Sequence, residues 1–201
     1  MTAVASSSAS HPSNAVPDRL FELPNGKRIR IRTGDIISQA VDAVVNAAKP
    51  SLMGGYGVDG AIHRAAGPGL FEVCRRIEAP CPVGSCVATD AFALPCRRIL
   101  HAVGPRWLGG SAGEDEALAA CCRAALDIAA AEGLRTVAFP CISAGVHRFP
   151  YQRAASIILQ TAAAHPWRGE MIFCCFSAKE REAAEAAAES LFGAPSEPSA
   201  S

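Results

Sequence analysis

Apolar and polar positions along this chain fall into short runs with two different periods. Lys27 to Arg32 alternates basic and apolar residues, as a strand with one wet face does. Val41 to Asn46, Arg98 to Val103, Thr136 to Phe139 and Met171 to Phe176 are short and mostly apolar, the pattern of strands covered on both faces, and Ser85 to Ala91 is a weaker instance. Between these runs the period lengthens to that of a helix. Asp59 to Ala66 starts from a glycine loop. Glu114 to Glu132 opens with three acids, carries an apolar stripe at Leu118, Cys122, Ala125 and Ala129, and stops at Gly133. Pro150 suits the first turn of a helix running to about Ala164. A last helix begins at a capping box, Ser177-x-x-Glu180, and turns Ala183, Ala187 and Leu191 to one side before Gly193. Strands alternating with helices predict an α/β fold, a mostly parallel sheet covered on both sides.

In that architecture ligands sit beyond the carboxyl ends of the strands. Four places in the chain qualify: Gly34-Asp35, the loop Gly54 to Gly60, the loop Ser143 to His147, and the stretch after Phe176. The two glycine loops stand out because successive backbone N–H groups in such loops form concave anion sites, reinforced by the helix that follows. Two of them in one domain suit a ligand with more than one phosphate.

The first loop delivers an acid, Asp59, to where phosphates would sit. It either caps the helix or does chemistry, and its setting among Gly54, Gly55, Gly57 and Gly60 favours chemistry. The helix N–H groups are expected to hold its carboxylate ionised near neutral pH. His63 shares the helix face of Asp59 and reads alone as structural, as does His101 within a strand. Asp35 is either a turn residue or a carboxylate that accepts a hydrogen bond from a ligand amine. Asn46, at the end of its strand without a turn former behind it, is a candidate ligand amide, and Lys49 beside Pro50 is a loop cation. The glycine pattern is neither a dinucleotide fingerprint nor a P-loop. No nucleophile is convincing: Ser143 lacks the elbow context, and Cys141 with His147 nearby is weak evidence for a thiol catalyst. Water is the expected nucleophile, activated by Asp59 or by a phosphate of the ligand.

Composition narrows the class. The 201 residues make one domain, 19–192, between Ser-, Ala- and Pro-rich ends, 1–18 and 193–201, that are expected to be disordered. The first end lacks the charged and apolar regions of a signal peptide, and no apolar run approaches the ~20 residues of a membrane span. Nineteen basic and 19 acidic side chains cancel, which argues against a nucleic-acid partner held by bulk charge. Nine cysteines without a C-x-x-C pair read as reduced, buried thiols of a cytoplasmic protein, with no metal and no cofactor expected.

Val41 to Ala48, Leu52 to Gly67 and Cys141 to His147 together resemble a macrodomain of the MacroD type. Gly34-Asp35-Ile36, Cys81-Pro82-x-Gly84 and His101-x-Val103-Gly104-Pro105 add to the match, which runs from about Arg28 to Leu191. The resemblance implies a three-layer α/β/α domain that binds ADP-ribose. It also implies hydrolysis, without a metal, of ADP-ribose esters on acidic side chains or of O-acetyl-ADP-ribose, by a monomer; a non-catalytic ADP-ribose reader is the alternative. By the same resemblance Asp35 and Ile36 meet the adenine, with Phe176 flanking the ring. Gly54, Gly55, Tyr56, Gly57 and Val58, with Ser143, Ala144, Gly145, Val146 and His147, hold the diphosphate and distal ribose. Asn46 touches that ribose and Asp59 orients the attacking water. Three residues depart from the family pattern: Lys49 replaces a second asparagine that helps to place the distal ribose, Tyr56 replaces a glycine, and His147 replaces an aromatic.

Overall fold

The computed structural model describes residues 16–77 and 80–196. In chain order these form β1 (Arg19–Glu22), β2 (Arg28–Thr33), β3 (Ala43–Ala48), α1 (Gly57–Ala66), α2 (Pro68–Cys74), β4 (Cys86–Asp90), β5 (Arg98–Val103), α3 (Glu114–Ala131), β6 (Thr136–Phe139), α4 (Tyr151–Ala164), β7 (Glu170–Cys175) and α5 (Ala178–Phe192). The sheet order is β1-β2-β7-β6-β3-β5-β4, with parallel pairing everywhere except at the two edges. The mixed, mostly parallel α/β sheet expected from the alternation is therefore the observed one.

Residues along the central strands alternate between two cores. In β7, Met171, Phe173 and Cys175 enter the core beneath α3, α4 and α5, whereas Ile172 and Cys174 enter the one beneath α1 and α2. Each strand is thus apolar on both faces, which is why its sequence reads as a continuous run. β2 is the exception. Its Arg28, Arg30 and Arg32 alternate with buried Ile29 and Ile31 and pair with Asp18 and Glu170.

Several expectations are corrected. Ala43–Ala48 begins and ends two residues later than the predicted run, because Asp42 is spent on capping the chain reversal at Arg135 and Thr136. Asn46 consequently lies inside its strand, not at the end. β1 and α2, four and seven residues long, are too short to show a period and were not anticipated. On α5 the buried face is Arg181, Ala184, Ala187 and Ala188, and Leu191 is exposed. Of the capping box, Ser177 accepts from the Glu180 N–H, but the Glu180 carboxylate accepts from the N–H of Phe176. Neither end is wholly outside the fold. Val16 and Pro17 carbonyls accept from Arg181, and Ser196 bridges Leu20 at the free edge of β1. Residues 1–15 and 197–201 lie outside the described residues.

Candidate active site

The carboxyl ends of β2, β7, β6 and β3, consecutive in the sheet, open into one cleft of about 510 Å³, a size suited to a nucleotide-like ligand. Asp35 and Ile36 come from the loop after β2 and Lys49 from the end of β3. Ser143, Gly145, Val146 and His147 come from the loop after β6, and Phe176 follows β7. The N-terminus of α1 brings Tyr56, Gly57, Val58 and Asp59 to the same space. The topology thus assembles most of the residues singled out in the sequence.

Four do not face the cleft. Gly54 and Gly55 form its underlying support. A side chain on Gly54, which has φ +65°, would meet the ring of His63 at 3.0 Å, and one on Gly55 would collide with Lys49. Ala144 is buried behind its loop. Asn46 is 0% exposed and turned inward: its amide donates to Asp59 Oδ1 at 2.8 Å and approaches His101 Nδ1 at 3.1 Å. It supports Asp59 from behind instead of lining the cleft. The lining also includes Ala61, Arg64, Pro140, Cys174 and Glu180, none of which the sequence offered as a site residue. Arg64 sits one helical turn beyond Gly60, on the helix already marked as functional, and that spacing is the signal that could have found it.

The loop after β6 turns several backbone N–H groups toward the cleft without acceptors among the described residues. Its ends bend back on themselves, with the N–H groups of Arg148 and Phe149 donating to the carbonyls of Gly145 and Ser143. Among the described residues the N–H groups of Gly145, Val146 and His147 have no hydrogen-bond acceptor, nor do those of Gly57 and Val58 at the start of α1. Ser143 has φ +66°, a conformation costing on the order of 1–3 kcal/mol for a residue other than glycine, and its buried hydroxyl has no partner. Strain and unmet polar capacity coincide here, as they do where a loop is shaped for a ligand. His147 Nδ1 lies 3.1 Å from the Pro105 carbonyl, tying the loop to the segment after β5.

Asp59 lies at the start of α1, beside the cleft. It is 3% exposed, with Oδ1 held by Asn46 and with His63 Nε2 3.6 Å away, whereas Oδ2 has no partner. The expected stabilisation by helix N–H groups is absent, because none of them donates to this side chain among the described residues. Burial raises its pKa, only partly offset by the Asn46 hydrogen bond and by the nearby His63 and Lys49. An acid with a raised pKa and a free oxygen in a cleft has the attributes of a proton acceptor. Behind it, burial holds His63 and His101 neutral, with His101 brought down to about 3. His63, Cys74 and His101 lie close enough to suggest a metal triad, but both nitrogens of His101 already meet polar partners, Asn46 and Thr89. The thiol of Cys141 is pushed far up by burial, and no contact joins it to His147, so it is not a poised nucleophile.

The Macro domain family model matches residues 45–158. A macro domain-containing protein of Ralstonia nicotianae is 50% identical over 153 residues, covering 76% of this chain and 89% of the relative. A protein named O-acetyl-ADP-ribose deacetylase, of Escherichia fergusonii, is 46% identical over 156 residues, covering 74% and 88%. Among solved structures, the Oceanobacillus iheyensis macrodomain with ADP superposes with a TM-score of 0.83 at 34% identity, covering 87% of this chain and 96% of that one. The Trypanosoma brucei macrodomain in complex with ADP-ribose gives 0.72 at 35%, covering 79% and 68%.

Proposed function

Because the chain belongs to the macro domain family, we propose that its cleft binds ADP-ribose and that it hydrolyses ADP-ribose esters, either O-acetyl-ADP-ribose or ADP-ribosylated Asp and Glu side chains. The observation that carries the catalytic part is Asp59, whose one oxygen is fixed by Asn46 and whose other is unpartnered beside the cleft.

The roles follow from position. Asp35, whose Oδ1 caps the short turn Ile36–Ser38 through the Ile37 N–H, has a second oxygen to accept the adenine amine. Phe176, 74% exposed, offers its ring as a wall for the base. The free N–H groups of Gly145 to His147 and of Gly57 and Val58 receive the diphosphate. The distal ribose then lies between the two nests, next to Asp59. Asp59 takes a proton from a water molecule as that water attacks the ester carbonyl, the acyl C–O bond breaks, and the proton passes to the departing ribose oxygen, with the carboxylate aligned throughout by Asn46. Cytoplasmic location and a monomeric state are part of the same reading, and no described helix is long and apolar enough to cross a membrane.

A reader that binds without turnover is the second reading. The Lys49 side chain packed over Gly55 favours it, because a cation there competes for the Asp59 carboxylate. Incubation with O-acetyl-ADP-ribose and with a glutamate-linked ADP-ribosyl protein separates the two. Release of ADP-ribose from either by wild type but not by Asp59→Ala is the expected result. Tight ADP-ribose binding with no release from either ester establishes the reader.

A further inference from the structure

Two cations that line the cleft have no bonded partner among the described residues. Among the described residues, Lys49 and Arg64 have no hydrogen bond or ion pair, whereas most of the chain's arginines are paired with acids. Both line the cleft. Both also converge on one short stretch of backbone. The ammonium and Cε of Lys49 occupy the space where a Cβ on Gly55 would stand, and Asp59 Oδ2 lies 3.6 Å from that same position. The guanidinium of Arg64 comes within 3.0 Å of where a Cβ on Gly60 would be, and Gly60 itself is pressed against the Gly55 carbonyl. The Gly55 carbonyl leaves no room for a side chain at 60, whereas a side chain at 55 would displace the end of Lys49. A lysine beside the Asp59 carboxylate and an arginine farther along the same helix, neither in an ion pair among the described residues, leave this rim with excess positive charge.

That charge is not needed for the diphosphate, which has five free N–H groups of its own between the two nests. The rest of an ester ligand must leave the site at this rim, past Asp59, because the acyl group is attached to the ribose nearest that acid. We propose that Lys49 and Arg64 select the acyl side of the ester by charge: the protein acts on ADP-ribosyl esters of acidic peptide segments, where carboxylates flank the modified side chain, in preference to neutral acyl esters. The proposal rests on the hydrolase reading above and names its substrate class. Tyr56, 84% exposed on the same rim, adds an apolar wall against which a peptide backbone can lie. Such attraction acts across solvent over roughly a Debye length, about 8 Å at physiological salt, so it reaches residues adjacent to the modified one and weakens as salt is added.

The test uses two glutamate-linked ADP-ribosyl peptides that differ only in flanking residues, Glu and Asp in one, Gln and Asn in the other, with O-acetyl-ADP-ribose as a third, uncharged ester. At low salt wild type is expected to show kcat/KM about tenfold higher for the acidic peptide, with the ratio falling as NaCl is raised. In Arg64→Gln and Lys49→Gln the ratio should approach one. Equal kcat/KM for the two peptides in wild type overturns the proposal. So does an equal loss on all three esters accompanied by weaker binding of ADP-ribose itself, which would place the cations on the diphosphate. Calorimetry with amide-linked, non-hydrolysable versions of the two peptides reads the same preference without turnover. A preference in binding with no hydrolysis of any ester sinks the hydrolase reading while leaving the charge selection standing, and no preference in either measurement sinks the selection alone.

Discussion

Two aspartates flank β3 at its opposite ends in space, and they are treated in opposite ways. Asp42, before the strand, accepts from the backbone N–H groups of Arg135 at 2.7 Å and Thr136 at 3.1 Å. Burial works to raise its pKa, but these bonds, the Thr136 side chain and Arg97 together bring it down. Asp59, beyond the other end, has one amide partner and a bare oxygen, and its pKa is raised. The pattern extends beyond these two. Near Asp42, buried Lys27 donates to the carbonyls of Ala162, Ala163 and His165 at the end of α4, and Trp167 Nε1 donates to Leu134. Near Asp59, Asn46, His63 and Ser143 all keep buried polar atoms without partners. At the Asp42 end hydrogen bonds close most of the polar groups, whereas most of the buried polar side-chain atoms without a partner among the described residues lie at the Asp59 end. A second depression of about 640 Å³ does open beside Asp42 and Trp167, but its polar floor is already satisfied within the fold.

The largest effect should come from Asp59. Asp59→Ala is expected to lower ester hydrolysis about 10²–10⁴-fold while ADP-ribose still binds, as read by product release and calorimetry. Retained turnover would mean that water is activated elsewhere, most directly by a ligand phosphate.

At the other end the loss should be in stability instead of turnover. Lys27→Met strips three carbonyls of their donor and should cost about 2–3 kcal/mol, lowering Tm by roughly 5–10 °C for a domain of this size. If Tm is unchanged, the closed end is not closed by Lys27.

Asp35 sharpens the contrast within the cleft. Asp35→Ala is expected to weaken ADP-ribose binding by about 1.5–3 kcal/mol, the range for a hydrogen bond to a charged group. Unchanged affinity in calorimetry would remove Asp35 from the adenine.

The smallest effects are slopes with pH, and they should have opposite signs. Because the pKa of Asp42 is depressed in the fold, its contribution is present above the unfolded value near 3.9 and is lost as pH falls through the folded one. Asp42→Asn should therefore lose less stability than wild type on acidification below about pH 4. The pKa of Asp59 is raised, so its contribution is present below the unfolded value and is lost as pH rises through the folded one. Asp59→Asn should gain Tm relative to wild type as pH rises above the unfolded value of about 4. Parallel melting curves for either variant and wild type would cancel that half of the comparison.

How much of this was legible depended on whether the signal was local. Periodicity located β5 and β6 to the residue and α3 to within one, since long or doubly buried elements repeat their pattern. It missed β1 and α2, which are too short to repeat, and it turned Leu191 inward because an alanine-rich helix leaves its phase to its neighbours. Three acids open α3 in the sequence. Glu114 folds back to accept from the N–H groups of Leu108, Gly110 and Ala112, which hold its carboxyl at about 2. That use could not be foreseen without the loop it closes.

By itself the sequence determined the alternating α/β order, the two glycine loops and the acid between them, because turn chemistry and hydrophobic period are properties of adjacent residues. Only the tertiary structure decided the state of that acid. Helix-end electrostatics alone would keep Asp59 ionised and capped. Packing against β3 desolvates it, gives it one amide from Asn46 inside the strand, and leaves it between Lys49 and His63. Desolvation and partner geometry arise from residues far apart in the chain, so no local pattern can carry them.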